Sequence, residues 1–258
     1  VSRVRSAWRV IRRVWAVVGS VALVGFIGWS YIAFRATDEA VAALASDTRV
    51  SVARGDGYWS FQRAGGKPAE TGLLFFAGSM VDPVAYAPIA RAAALAGFPV
   101  LLVELPYRGV FGGADGGEVI ARGRSAQQQT PGVSKWVVAG HSRGGEVATR
   151  FVFHGAPGLA GLVLVGTSHP RDFSLADTKL KVTKVLGTND GISPLEKSEK
   201  NRHLLPATTR WVVIEGGNHS QFGWYRFQPG DHFASIGRDQ QQAQAIAAII
   251  DALQSAAH

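Results

Sequence analysis

Short apolar runs alternate with longer amphipathic stretches along most of this 258-residue chain. The runs are rich in β-branched and aromatic side chains and lie at 49–54 (RVSVAR), 58–62 (YWSFQ), 72–76 (GLLFF), 99–105 (PVLLVEL), 135–139 (KWVVA), 161–166 (GLVLVG), 182–187 (VTKVLG) and 210–215 (RWVVIE). Each predicts a strand. Between and after them, helices are predicted at 83–96, with Asp82 as N-cap and Gly97 as stop, at 144–153, and at about 194–204 from Pro194. A further helix is predicted at 238–256, where Ile246, Ile249, Ile250 and Leu253 recur at i, i+3, i+4 and i+7. Two strands followed by repeated strand–helix units predict an α/β fold, a mostly parallel eight-stranded sheet with helices on both faces and an antiparallel start. No internal repeat and no second-domain linker interrupts 49–258.

One stretch departs from the alternation. Residues 15–34 (WAVVGSVALVGFIGWSYIAF) carry no charge, and as a helix they span about 30 Å, the thickness of a bilayer's hydrocarbon core. Trp15 at one end and Trp29, Tyr31 and Phe34 at the other suit the interfacial belts, and the five arginines ahead of the span favour a cytoplasmic N-terminus. The expected organisation is a basic cytoplasmic segment at 1–14, a transmembrane helix at 15–34, a linker at 35–48 and a domain at 49–258 held outside the cytoplasm. A cleaved secretory signal is the alternative. Such signals have an apolar core of about 7 to 15 residues and an early small-residue cleavage site, whereas ALA at 43–45 follows Arg35, Asp38 and Glu39.

The net charge of +8 changes meaning once it is mapped. Arg3, Arg5, Arg9, Arg12, Arg13 and Arg35 supply six of those charges with no acid among them, leaving +2 for the rest. The basic balance therefore belongs to the anchor and not to a nucleic-acid-binding face. The absence of cysteine excludes disulfides, thiolate metal sites and a cysteine nucleophile. The glycine-rich GVFGGADGG at 109–117 lacks the Lys-Ser/Thr of a phosphate loop and reads as a flexible surface loop.

Candidate chemistry starts at Gly140-His141-Ser142-Arg143-Gly144, a G-x-S-x-G placed between a predicted strand and a predicted helix. A serine lifted on such a turn brings neighbouring backbones together, so residues without a Cβ are needed on both sides. Ser142 is the candidate nucleophile, and the N–H of Arg143 at the helix start faces an oxyanion forming beside it. A plain helix N-cap is the competing role for the same serine. The loop after the third run, FFAGSMVDP, is expected to supply a second oxyanion donor, the N–H of Ser79 or else that of Met80.

A nucleophilic serine needs a base and a group that orients it. In open parallel sheets functional residues collect beyond the carboxyl ends of strands. Asp190 lies directly past VTKVLG and His219 directly past RWVVIE, so the chain order is Ser142, Asp190, His219. Asp172 and Asp177 are substitutes for the acid and His232 is the rival base, while His141, His154, His169 and His203 fit structural or surface positions. Glu104 precedes the serine, in the wrong chain order. Such a triad needs no metal and no organic cofactor.

These residues resemble the α/β-hydrolase superfamily and, more closely, a bacterial group of small, often membrane-anchored hydrolases related to dienelactone hydrolases. The resemblance covers roughly 50–258 and rests on AGSMVDPVAYAPIARAAALAGFPVLLVELP, GHSRGG, GTNDGISP and GGNHSQFGWYRFQPGDHFASIGRDQQQ. It implies the α/β-hydrolase fold with Ser142 as nucleophile, Asp190 as acid and His219 as base, cleaving a small-molecule carboxylic ester or lactone through an acyl-enzyme. The group usually has a second glycine where Ser79 stands and a small or apolar residue where Arg143 stands, although an oxyanion hole needs only the backbone of either. The Arg143 guanidinium suits acidic or phosphate-bearing esters unless Glu146, three residues on, neutralises it as a helical pair. About 15 residues separate GLVLVG from VTKVLG, too few for a large cap domain. The rival readings are a membrane-tethered binding domain without turnover, and a peptidase or acyltransferase using the same serine.

Overall fold

The computed structural model describes residues 2–65, 69–110 and 116–258, with side chains from Ala7 onward. Residues 111–115, the middle of the glycine-rich stretch expected as a flexible loop, lie outside the described residues. All eight apolar runs form strands: β1 (Val50–Gly55), β2 (Tyr58–Arg63), β3 (Thr71–Phe76), β4 (Val100–Val103), β5 (Lys135–His141), β6 (Leu159–Val165), β7 (Lys181–Gly187) and β8 (Arg210–Ile214). They join one sheet in the order β1-β2-β4-β3-β5-β6-β7-β8. The pairs β1–β2 and β2–β4 are antiparallel and the rest are parallel. The chain moves from β3 to β4 on one side and returns to β5 on the other, so the crevice beyond the carboxyl ends of β3 and β5 is the place where such sheets hold ligands.

Burial explains the pattern. Edge strand β1 buries only Val50, whereas β3 is buried throughout, as expected for a strand covered on both faces. Leu73 and Phe75 enter one core with the helices α3 (Ala87–Leu95) and α7 (Arg238–Ala257). Leu74 and Phe76 enter the other with α4 (Gly117–Gln128) and α5 (Arg143–Phe153). The short helix α6 (Leu195–Lys200) completes the set.

Two helices differ from expectation in detail. The buried stripe of α7 runs through Ala245, Ala248, Ile249, Leu253 and Ala256, with Ile246 and Ile250 only half-buried, because alanines let the helix lie close to the sheet. The α4 segment lies outside the predicted helices. Its inner face is Val119, Ile120, Gly123 and Ala126, and the glycine weakens the apolar stripe on which periodicity depends. That glycine is required by packing: a Cβ there would come within 2.9 Å of both the Phe151 and Phe76 rings.

The N-terminal helix α1 (Ser2–Ala33) is apolar enough to cross a membrane and stands exposed over most of its length. Its last turn is the exception, since Ser30 and the following Phe34 are buried. The stretch 35–48 includes the short helix α2 (Asp38–Ala42), buries Ala40 and Ala43, and is pinned by Arg91, which pairs with Asp47 at 2.6 Å and donates to Ala45 O at 2.7 Å. Residues 166–180 between β6 and β7 form no helix or strand, so there is no large cap domain in that connection.

Candidate active site

Ser142 stands between the end of β5 and the start of α5 with φ 54° and ψ −118°, a backbone state that costs a non-glycine residue on the order of 1–3 kcal/mol. The flanking glycines make this turn possible. A Cβ at Gly140 would collide with the backbone of Gly144, and one at Gly144 with the carbonyls of Phe76 and Ala77. The serine turn therefore packs directly on the loop that leaves β3. Although Ser142 occupies the N-cap position, its hydroxyl makes no capping hydrogen bond. Its N–H donates to Val165 O at 2.9 Å, which ties the turn to β6.

Asp190 and His219 meet beyond the carboxyl ends of β7 and β8. His219 Nδ1 and Asp190 Oδ2 are 2.8 Å apart, and both side chains are about 1% exposed. The other oxygen of Asp190 accepts N–H bonds from Ile192 at 2.9 Å and Ser193 at 2.6 Å, so the carboxylate is fully engaged on the side away from the imidazole. Among the described residues His219 Nε2 is buried without a hydrogen-bond partner, Ser142 included. Catalytic hydrogen bonds of this kind often tighten only when substrate arrives.

A third carboxylate, absent from the expected set, organises this pair. Asp231 Oδ1 accepts from the N–H groups of Gly191 (3.0 Å), His219 (3.2 Å) and His232 (2.9 Å). Its Oδ2 accepts from Ser220 N (2.8 Å) and Ser220 Oγ (2.7 Å). One buried side chain thus joins the loop carrying Asp190 to the loop carrying His219. The only hint in the sequence was its place inside the long histidine motif, beside His232.

On the opposite side, Gly78, Ser79 and Met80 follow β3. Met80 N–H is already donated to Arg108 O at 2.6 Å, whereas Ser79 N–H has no acceptor among the described residues. Tyr86 joins this loop to the serine turn: its hydroxyl accepts from Gly78 N–H at 3.2 Å and lies 2.8 Å from His141 Nδ1. Burial, reinforced by neighbouring His219, lowers the His141 pKa well below the usual imidazole range. The imidazole is therefore neutral.

A cleft of about 380 Å³ opens beside Ser142 between Arg143, Thr167, His169 and Ile192. Arg143 Nη1 lies 3.1 Å from the mostly buried Glu146 carboxylate, the i,i+3 pair that offsets its charge. Burial lowers the His169 pKa to about 3, with help from Arg171, Lys184, Arg143 and Arg150, so its 3.4 Å approach to Glu146 is not an ion pair. Of the remaining candidates, Asp172 also borders this cleft, on the Arg150 side, and the others stand elsewhere. Asp172 is exposed and pairs with Arg150 at 3.3 Å, Asp177 and His232 are exposed, and Glu104 takes Arg54 in a two-bond pair at 2.6 and 2.8 Å. His154 and His203 lie on the surface.

Residues 72–243 match the sequence model of the alpha/beta hydrolase family. A dienelactone hydrolase-like promiscuous phosphotriesterase from metagenomic libraries superposes with a TM-score of 0.61 at 16% identity, over 80% of this chain and 98% of that one. A thermophilic esterase from Thermogutta terrifontis superposes with a TM-score of 0.58 at 13% identity, over 83% and 100%. At these identities the superpositions speak for the fold. No curated protein matches the sequence.

Proposed function

The chain belongs to the alpha/beta hydrolase family and is a hydrolase enzyme, and from that premise we propose that it cleaves a carboxylic ester or lactone through an acyl-enzyme on Ser142. His219 Nε2 takes the Ser142 proton as Oγ attacks the carbonyl carbon, and Asp190 holds the imidazole by Nδ1 and stabilises the cation that forms. The N–H groups of Arg143 and Ser79 receive the oxyanion. As the ester C–O bond breaks, the alcohol leaves with the proton from His219. Water, activated by the same histidine, then releases the acid and restores the serine. The observation that carries this reading is the buried Asp190–His219 pair, whose outer nitrogen has no partner among the described residues. Arg143 is paired to Glu146, a carboxylate it shares with Arg150 at 3.6 Å.

We further propose that α1 is an uncleaved anchor with its N-terminus in the cytoplasm and the hydrolase domain outside. As a 32-residue helix it runs for about 48 Å, so its arginine-bearing first turns extend past the hydrocarbon. The chemistry is tested by labelling the full chain in detergent with a fluorophosphonate. Wild type is expected to label and Ser142→Ala is not. Absence of label on wild type sinks the hydrolysis mechanism, and label that survives the substitution moves the nucleophile elsewhere.

A further inference from the structure

The membrane helix does not simply end near the domain; its last turn is built into the oxyanion side of the site. Phe34 is 1% exposed and packs edge-on against Tyr225, with ring centroids 6.0 Å apart. Its carbonyl accepts from Asp82 N–H at 2.9 Å. Arg108 lies over the Tyr31 ring at 4.5 Å and donates to Tyr31 O (3.3 Å) and Asp82 Oδ2 (2.9 Å), while its own carbonyl accepts from Met80 N–H. Thr37 N–H donates to Trp224 O at 2.9 Å, in the segment that follows His219. If α1 leaves the hydrocarbon at Tyr31–Phe34, the loops after β3 and β8 stand at the depth of the lipid headgroups.

The same edge of the domain exposes aromatic rings that water disfavours. Tyr107, next to Arg108, is 69% exposed, Phe233 is 81% exposed and Phe227 is 40% exposed. Phe227 and Phe233 stack at 4.7 Å with an interplanar angle of 18°. Both lie on the exposed rim of the segment between β8 and α7. Phe227 lies two residues past Tyr225, the ring that Phe34 touches, and Phe233 O accepts from Asn189 Nδ2 at 3.1 Å, beside Asp190. Exposed Arg226 and His232 flank the pair with groups that suit phosphate headgroups. Aromatic rings bounded by such polar neighbours are favoured at a membrane–water interface.

We propose that the carboxyl edge of the sheet rests on the bilayer through Tyr107, Phe227 and Phe233, and that the substrate is an amphiphilic ester taken from the headgroup layer. This rests on both the anchor and the hydrolase readings above, with bond breaking as already described. The committed occupant of the aromatic edge is the lipid surface, because that edge is continuous with the end of the membrane helix.

The chain has no cysteine, so single labels can be placed cleanly. Full-length Phe233→Cys and Thr208→Cys, the latter just before β8 at the opposite end of the sheet, are labelled with an environment-sensitive fluorophore and reconstituted in phosphatidylcholine–phosphatidylglycerol vesicles bearing headgroup nitroxides. Quenching at 233 is expected to be several-fold stronger than at 208. In the same vesicles, a Phe227→Ser/Phe233→Ser variant is expected to lose about 10-fold in turnover of a long-chain ester while keeping its turnover of a short, water-soluble one. The tenfold figure corresponds to about 1.4 kcal/mol of lost interfacial binding. Equal quenching at the two positions, or equal losses on the two esters, overturns the proposal. Release of wild type by alkaline carbonate overturns the anchor reading and this proposal together. Absence of turnover of either ester by wild type, with selective quenching kept, overturns the hydrolysis mechanism and the substrate assignment but not the membrane contact.

Discussion

On one side of Ser142, the loops after β7 and β8 are joined by buried carboxylates, with Asp190 on His219 and Asp231 accepting from both loops. On the other side, the loop after β3 is held by Tyr86 from within and by the end of an apolar helix from without, through Asp82 N–H on Phe34 O and through Arg108. The carboxylate contacts of the first side all fall within residues 190–232, inside the span that matches the family model. The second depends on Tyr31 and Phe34, which precede that span. It also carries local strain, since Met80, Tyr107 and Arg108 all have positive φ values of 63°, 50° and 53°. Such residues persist only where surrounding contacts over-determine them. The Asp190–His219 side is thus braced by buried carboxylates, whereas the loop after β3 leans on the end of α1, which also reaches the segment after His219 through Phe34 and Thr37.

The sharpest way to break that contrast is at Asp231. Asp231→Asn turns donor groups toward N–H donors and loosens both loops, and a misplacement of this kind lowers kcat by about 100-fold while KM changes little. Asp231→Glu should recover part of the loss. Kinetics on a short soluble ester decide the matter; a KM effect alone would mean that Asp231 shapes substrate binding instead.

A smaller effect is expected from Arg108→Ala, which removes one of the two ties between the β3 loop and the end of α1, leaving Asp82 N–H on Phe34 O, without touching His219. Loss of a whole oxyanion donor costs about 100- to 1,000-fold, so a donor that is only loosened should cost about 10-fold in kcat. The pH dependence of kcat/KM should keep its wild-type midpoint, because the histidine side is unchanged. A shifted midpoint would show that the two halves are coupled.

The smallest effect concerns a buried amine beneath the cleft. Lys184 on β7 donates to His169 O at 2.7 Å, and burial, followed by repulsion from Arg171, lowers its pKa to about 7. An unfolded lysine titrates near 10.4, so between about pH 7 and pH 10 the unfolded chain binds the extra proton. Stability should therefore rise with pH across that window, by up to about 1.4 kcal/mol per unit, and the amine's cost is fully present below it. Urea unfolding at pH 7 and pH 9 measures the slope, which Lys184→Met should abolish. A slope unchanged by the substitution would locate the titrating group elsewhere.

Much of this architecture could be read in one dimension. The eight strands followed from short apolar runs, and the glycines around Ser142 marked a backbone crossing that the fold realises against Phe76 and Ala77. The spacing of Arg143 and Glu146 offered the ion pair observed at 3.1 Å. The α4 helix escaped because Gly123 stands in its packing stripe, where the missing side chain is the feature that fits. Asp231 escaped because a carboxylate in a polar loop has no local signature; its five hydrogen bonds exist only when residues 191, 219 and 220 arrive around it.

By itself, then, the amino-acid sequence determined what depends on neighbours a few positions apart: strand and helix periodicity, the tight serine turn, the chain order of Ser142, Asp190 and His219, and an apolar span long enough for a bilayer. Only the tertiary structure decided what depends on groups far apart in the chain. It brought Asp190 to 2.8 Å from His219, gave Asp231 its two loops, and seated Phe34 against Tyr225. The physical reason is that backbone propensity and hydrophobic period act locally. A buried carboxylate or ring acquires its role from partners that folding must first collect.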